Sequence, residues 1–152
     1  MIIALWKRLF GRLLNASIPH IQPDEICRRF LFSESEFSST QVKHKAFEPN
    51  KRTNNTSVFL YSRFKPADFA SILRKVEKKR GKDCKRVCEF FAGAVLETQK
   101  EVKDMPGGHL NLRLELDETD HKHHANIEGW APENKALTKF ICQSLAAKAR
   151  LV

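Results

Sequence analysis

Apolar residues in the first fifteen positions recur at helical spacing. At about 100° per residue, Ile2, Ile3, Leu5, Trp6, Leu9, Phe10, Leu13 and Leu14 share one arc, while Lys7, Arg8, Gly11 and Arg12 fill the other. This pattern predicts an amphipathic basic helix. Pro19 and Pro23 follow it, so residues 1–23 read as a helix plus linker and residues 24–152 as one domain. Ile26 to Phe32 is an apolar run that periodicity assigns to neither strand nor short helix. Ser33 to Gln41 is polar and reads as a loop. Val42 to Phe47 alternates and stops before Pro49, which predicts a strand. The Lys51–Thr56 turn then leads to Ser57–Tyr61, a β-branched and aromatic strand, and the pair suggests a hairpin.

Further along the chain the signals become helical. Pro66 stands where a helix tolerates proline, and Asp68 complements the dipole. Phe69, Ile72, Leu73 and Val76 hold helical spacing, and Gly81 is a stop. Cys84 to Val95 is apolar enough to be buried and reads as a helix in preference to a strand, with Gly107-Gly108 ending that unit. Leu110, Leu112, Leu114 and Leu116 alternate with polar residues, the clearest strand pattern in the chain. Pro132 to Arg150 reads as a helix with Leu137, Phe140, Ile141 and Leu145 on one face. Strands and helices without βαβ alternation imply a small single α+β domain: a few antiparallel strands, two or three packed helices and the N-terminal amphipathic helix.

Composition narrows the class. The chain has 152 residues, 41% hydrophobic and 30% charged, with six Gly and six Pro. That excludes a disordered polyelectrolyte and collagen-like architecture. No apolar run approaches the roughly 18 residues that span a bilayer. The cysteines Cys27, Cys84, Cys88 and Cys142 follow no secretory signal, so reduced thiols in a cytoplasmic protein are expected. Cys84 and Cys88 lack the second ligand pair of a zinc site and are expected to share a buried helix face with Phe91 and Val95. No metal and no cofactor is expected.

Charge is segregated. The net charge is +9. The first 23 residues supply three cations and no acid, whereas Lys43 to Arg86 holds fourteen Lys/Arg against four acids. From Asp104 to Asn134 the sign reverses, with seven acids against Arg113 and Lys122. The densest basic cluster comprises Arg74, Lys75, Lys78, Lys79, Arg80, Lys82, Lys85 and Arg86. Such a cluster can neutralise several phosphates without reading sequence, and it makes nucleic acid or another polyanion the expected partner. A solvated helix face is the alternative. Residues 1–15 read as a helix that packs its apolar arc on the domain or on a protein partner, as a surface for a membrane interface, or as a targeting peptide.

Asp117 to Glu128 places His121, His123 and His124 among Asp117, Glu118, Asp120 and Glu128. Imidazoles and carboxylates can bind transition metals, and a neutral histidine can serve as a general base. No motif such as HExxH closes this constellation, so a polar loop with structural hydrogen bonds is the competing reading. His124 is the catalytic candidate if a reaction exists. His124, Asn126 and Trp130 are the residues of a possible binding cleft.

The strings Arg29-Phe30-Leu31-Phe32-Ser33, Phe37-Ser38, Val42-Lys43, Ala46-Phe47-x-Pro49, Ser57-Val58-Phe59 and His124-Ala125-Asn126-Ile127-x-Gly129-Trp130 together resemble a group of small bacterial proteins that typically end in HANIxGWP and a final helix. The likeness covers about Cys27 to Leu151. Ala131 intervenes here before Pro132, and the basic region between the strings is only loosely similar. The group has no established activity, so the resemblance carries over no catalytic role. It implies a bacterial intracellular setting and singles out His124, Asn126, Gly129 and Trp130. The expected function is a non-enzymatic accessory or binding protein that contacts nucleic acid or another polyanion. The alternatives are a His124-dependent, metal-assisted hydrolase or nuclease, and a peripheral membrane or partner-docking protein using residues 1–15.

Overall fold

A computed structural model of the protein describes residues 20–152. The amphipathic helix read from Met1 to Asn15 therefore lies outside the described residues. Among the described residues there are six strands, β1 (Ile26–Leu31), β2 (Thr56–Leu60), β3 (Arg86–Phe91), β4 (Arg113–Leu116), β5 (His124–Glu128) and β6 (Arg150–Leu151). The same residues hold three α-helices: α1 (Pro66–Arg80), α2 (Gly93–Val102) and α3 (Lys135–Lys148). The strands form one sheet in the order β4-β5-β2-β1-β3-β6, every neighbouring pair antiparallel. The domain is α+β.

Alternation along each strand gives the sheet two distinct faces. Cys27 and Leu31, Val58 and Leu60, Cys88 and Phe90, and Ala125 and Ile127 meet Val95 of α2 and Leu137, Ile141 and Leu145 of α3 in the main core. Ala46 and Phe47, from the 3-10 turn His44–Phe47, complete it, with Phe47 edge-on to Phe90 at 5.3 Å. Phe30 and Phe59 point to the opposite face, where Phe69 and Ile72 of α1 cover them in a smaller cluster.

The α1 boundaries follow from local chemistry. Pro66 occupies the first turn, and Gly81 closes the helix at φ 64°, a left-handed conformation that suits glycine. Asn134 caps α3 by accepting from the Leu137 N–H at 3.1 Å.

Three expectations are corrected. Val42–Phe47 is no strand; its last four residues form a 3-10 turn, because Val42, Ala46 and Phe47 are the positions it buries. No hairpin joins it to β2, which pairs with β1 and β5. Cys84–Val95 is not one helix but strand β3 followed by the start of α2. Cys84 and Cys88 accordingly share no helix face: Cys88 is buried in the main core, and Cys84 sits half-buried before β3. Burial pushes the Cys27, Cys88 and Cys142 thiols up to about 12, so all three are inert packing groups.

A half-buried arginine ties the 3-10 turn to the sheet. Arg29 in β1 donates from Nε to the Ala46 carbonyl at 2.5 Å and from Nη1 to the Ser57 carbonyl at 2.6 Å.

Candidate functional site

The chemistry-bearing residues collect on the α1 side of the sheet. Because β5 alternates, His124, Asn126 and Glu128 face that side while Ala125 and Ile127 enter the main core. Pairing of β2 with β5 sets Ser57 opposite Asn126 and Phe59 opposite His124. Ser57 Oγ lies 2.6 Å from His124 Nε2. His124 Nδ1 lies 3.1 Å from the Asp117 carbonyl oxygen and 3.6 Å from its carboxylate. A carbonyl only accepts, so Nδ1 carries the proton; in the neutral ring Nε2 then accepts from the Ser57 hydroxyl. Asn126 Nδ2 donates to the same Asp117 carboxylate at 3.1 Å, and Asn126 Oδ1 is buried without a partner among the described residues. Hydrogen bonds from Thr119, outweighing partial burial and assisted by Asn126, hold the Asp117 carboxyl below its usual range.

The three residues expected to form a cleft are not together. Trp130 is buried in the main core, where its Nε1 donates to the Ile127 carbonyl at 3.0 Å. The turn between requires Gly129. Its φ is 90°, and a Cβ there would stand 2.1 Å from the Asn111 carbonyl oxygen. The glycine carries the chain past Asn111 and lets the indole drop into the core.

His121 and His123 flank a different aromatic, Phe64. His121 stacks on it at 4.8 Å and His123 meets it edge-on at 5.1 Å. Burial first, then the nearby Lys122 charge, lowers the pKa of both rings; Lys75 adds to the effect on His121. Neither histidine joins His124 in a ligand set: among the described residues, no group of three or more His, Cys, Asp or Glu is arranged to hold a metal ion.

The basic cluster is displayed outward. Phe69 and Ile72 anchor α1 to the sheet, and Arg74, Lys75, Lys78, Lys79, Arg80, Lys82 and Lys85 are exposed while Arg86 is half-buried at the start of β3. Two of the eight form ion pairs among the described residues: Lys79 with Asp120 at 3.6 Å and Lys85 with Glu34 at 3.3 Å, all four side chains substantially exposed. Arg80 packs its guanidinium over Phe32 at 4.5 Å. Glu77, one of the two acids inside this stretch, accepts from the Cys84 N–H at 2.9 Å.

Beyond β2, the same sheet face holds a second charged network. Glu89 is buried between Arg28, at 3.0 Å, and Arg150, and Arg28 lies 3.5 Å over the Tyr61 ring. Burial raises the Glu89 pKa, but hydrogen bonds from Arg150 and Arg28 prevail and hold it below the usual range. Neither this network nor Ser57 as the partner of His124 is legible in the sequence; only long-range strand pairing creates either one.

No family model, curated protein or solved structure matches this chain. Among the described residues, no helix is long and apolar enough to cross a membrane.

Proposed function

We propose that the protein is a non-enzymatic binding protein that contacts nucleic acid or another polyanion through the exposed face of α1 and the turn after it. The observation that supports this reading is the exposure of Arg74, Lys75, Lys78, Lys79 and Arg80 on the anchored α1 and of Lys82 and Lys85 in the turn after it, with ion pairs found for only Lys79 and Lys85 among the described residues. The acidic segment touches this face through the exposed Lys79–Asp120 pair. Exposed pairs of this kind hold weakly and release readily to a competing phosphate. Cations free to release counterions give affinity that falls steeply with salt, by a slope of about 0.9 per phosphate neutralised on duplex DNA.

The test is retention on immobilised duplex DNA across a salt series. The triple variant Lys78→Glu, Lys79→Glu, Arg80→Glu is expected to elute at much lower salt and to show a shallower salt slope. Unchanged retention would mean that the surface is wrongly assigned.

A second reading has one specific observation in its favour. Ser57, His124 and Asp117 stand in the order of a nucleophile, a base and its orienting group, with the serine 2.6 Å from the imidazole. Acyl transfer also needs donors aimed at the developing oxyanion. Ser57 lies inside β2 where it pairs with β5, and backbone N–H groups in a ladder are engaged sideways within the sheet instead of converging on a side chain. That difference favours a structural hydrogen-bond network. Covalent labelling of Ser57 by a fluorophosphonate, abolished by His124→Ala, would reverse the preference.

A further inference from the structure

Between α1 and the turn that precedes β5 lies an open cleft of about 270 Å³. Ile72 contributes its apolar part. Ser71 and Lys75 line it from the helix, and His121, Lys122 and His123 line it from the turn, with Asp68 the single acid. The exposed Lys79–Asp120 pair links the same two elements.

The histidines of this cleft have a defined hydrogen-bonding state. The His123 backbone N–H donates to His121 Nδ1 at 3.0 Å, so that nitrogen must keep its lone pair and the ring proton of His121 resides on Nε2. Protonating Nδ1 would break this bond, and burial together with Lys122 and Lys75 opposes it further. His121 is thereby held as a neutral donor. Phe64 fixes the plane of its ring by stacking. His123 brings a second unused group: its Nδ1 is buried and has no hydrogen-bond partner among the described residues. A buried polar atom without a partner costs about 1–3 kcal/mol.

Two ammonium groups, a hydroxyl and an imidazole N–H on one cleft are donors in excess of acceptors. With both imidazoles neutral, Lys75 and Lys122 against Asp68 leave the lining net positive. We propose that this cleft is a seat for a phosphate monoester. A monoester presents three unsubstituted oxygens and nearly two negative charges at neutral pH, so one group can engage Lys75, Lys122, Ser71 and His121 together. A backbone diester has two free oxygens and one charge. The seat extends the cationic surface on which the proposed function rests, but it makes a separate demand. The basic face binds many phosphates without distinction, whereas the cleft selects one terminal group. That group belongs either to the end of a nucleic-acid strand or to a small phosphorylated molecule.

The experiment uses the full chain and two probes. Inorganic phosphate is titrated at constant ionic strength and pH 7.5 while the histidine ring resonances are followed by NMR. Saturable shifts are expected for His121 and His123, with the exposed His20 and His109 unmoved. Lys122→Met should weaken the phosphate effect about tenfold, the order of one charge-assisted hydrogen bond. Lys78→Glu, Lys79→Glu, Arg80→Glu should leave the saturable effect in place. Absence of a saturable shift, or a shift that Lys122→Met leaves unchanged, overturns the seat whatever the protein does on DNA.

The second probe is a pair of single-stranded decanucleotides, one with a 5′-phosphate and one with a 5′-hydroxyl. Tighter binding of the phosphorylated strand, lost in Lys122→Met, supports the seat and assigns it to strand ends. Equal binding alongside a saturable phosphate titration supports it as a site for a small phosphorylated molecule. A saturable titration with neither strand retained supports the seat and removes the basic-face reading alone.

Discussion

On the α2/α3 side of the sheet, apolar side chains from Cys27, Leu31, Val58, Leu60 and Ile127 meet apolar helix faces, and few polar groups intrude. On the α1 side, four aromatic and aliphatic residues form a small cluster while charged and polar groups occupy the remaining positions of the same strands. One backbone thus serves two regimes. The first side gains stability through burial, roughly in proportion to the apolar area removed from water. The second depends on satisfied hydrogen bonds and ion pairs, each worth little net but costly when one partner is removed. The comparison teaches that the binding candidates sit where the fold has least apolar burial to lose.

The largest expected difference comes from truncation. Phe47→Ala should cost about 3–5 kcal/mol in urea denaturation, as buried phenylalanines do. Ile72→Ala under α1 should fall near 2 kcal/mol, the low end for such changes, because its cluster is small and can collapse. Equal losses would erase the distinction between the two sides. Arg29→Met comes next. It leaves the part-buried Ala46 and Ser57 carbonyls without their donors, and a loss of about 2 kcal/mol is expected. If it is neutral, the guanidinium is not what ties the 3-10 turn to the sheet.

Ser57→Ala should cost near 1 kcal/mol, the net worth of one hydrogen bond, and should leave DNA retention unchanged. A large loss of retention would move the binding surface from α1 to the open sheet face.

The smallest effect is a graded response to acid. The His121 and His123 pKa values are lowered from 6.5 in the folded protein, so the unfolded chain takes up their protons first. Their contribution is complete above pH 6.5 and declines as the pH falls below it. Glu25 and Glu89 are lowered from 4.5, where hydrogen bonds from arginine outweigh burial. Their contribution is complete above 4.5 and is lost on further acidification. Urea midpoints at pH 7.5, 5.5 and 3.5 should therefore fall in two steps. A midpoint that holds from 7.5 to 5.5 would show that the two imidazoles are not held neutral by the fold.

The parts legible in the sequence are those fixed by neighbours in the chain. Pro66 and Gly81 bracket α1 correctly because proline at a first turn and glycine at a left-handed cap are local requirements. The basic cluster was placed on a surface by the same helical spacing that buries Phe69 and Ile72. Strand β3 is not legible because Val87 packs on the α1 cluster and Glu89 is buried between two arginines, so the strand lacks a clean apolar–polar alternation. In Val42–Phe47 the period-two pattern competed with a helical one at positions 42, 46 and 47, and core packing chose the latter. Strand β5 does alternate, as His124, Asn126 and Glu128 against Ala125 and Ile127, yet His124 with the two histidines before it reads as loop chemistry. Ser57 and His124 are 67 residues apart, and nothing in either segment announces the other.

The strand order also bears on how the chain reaches this state. β1 lies inside the sheet between β2 and β3, and β2 waits for β5 on its other side. β4 and β5 are the one pair here joined by a short turn; Ile26 of β1 must find Phe91 of β3, and Thr56 of β2 must find Ile127 of β5. Such distant pairings require loop closure before they return any stability, which places folding on the order of milliseconds to seconds. Until then the apolar edge of β1, with Phe30 and Leu31, has no neighbour. Expression at high temperature should test that interval more severely than it tests the finished fold.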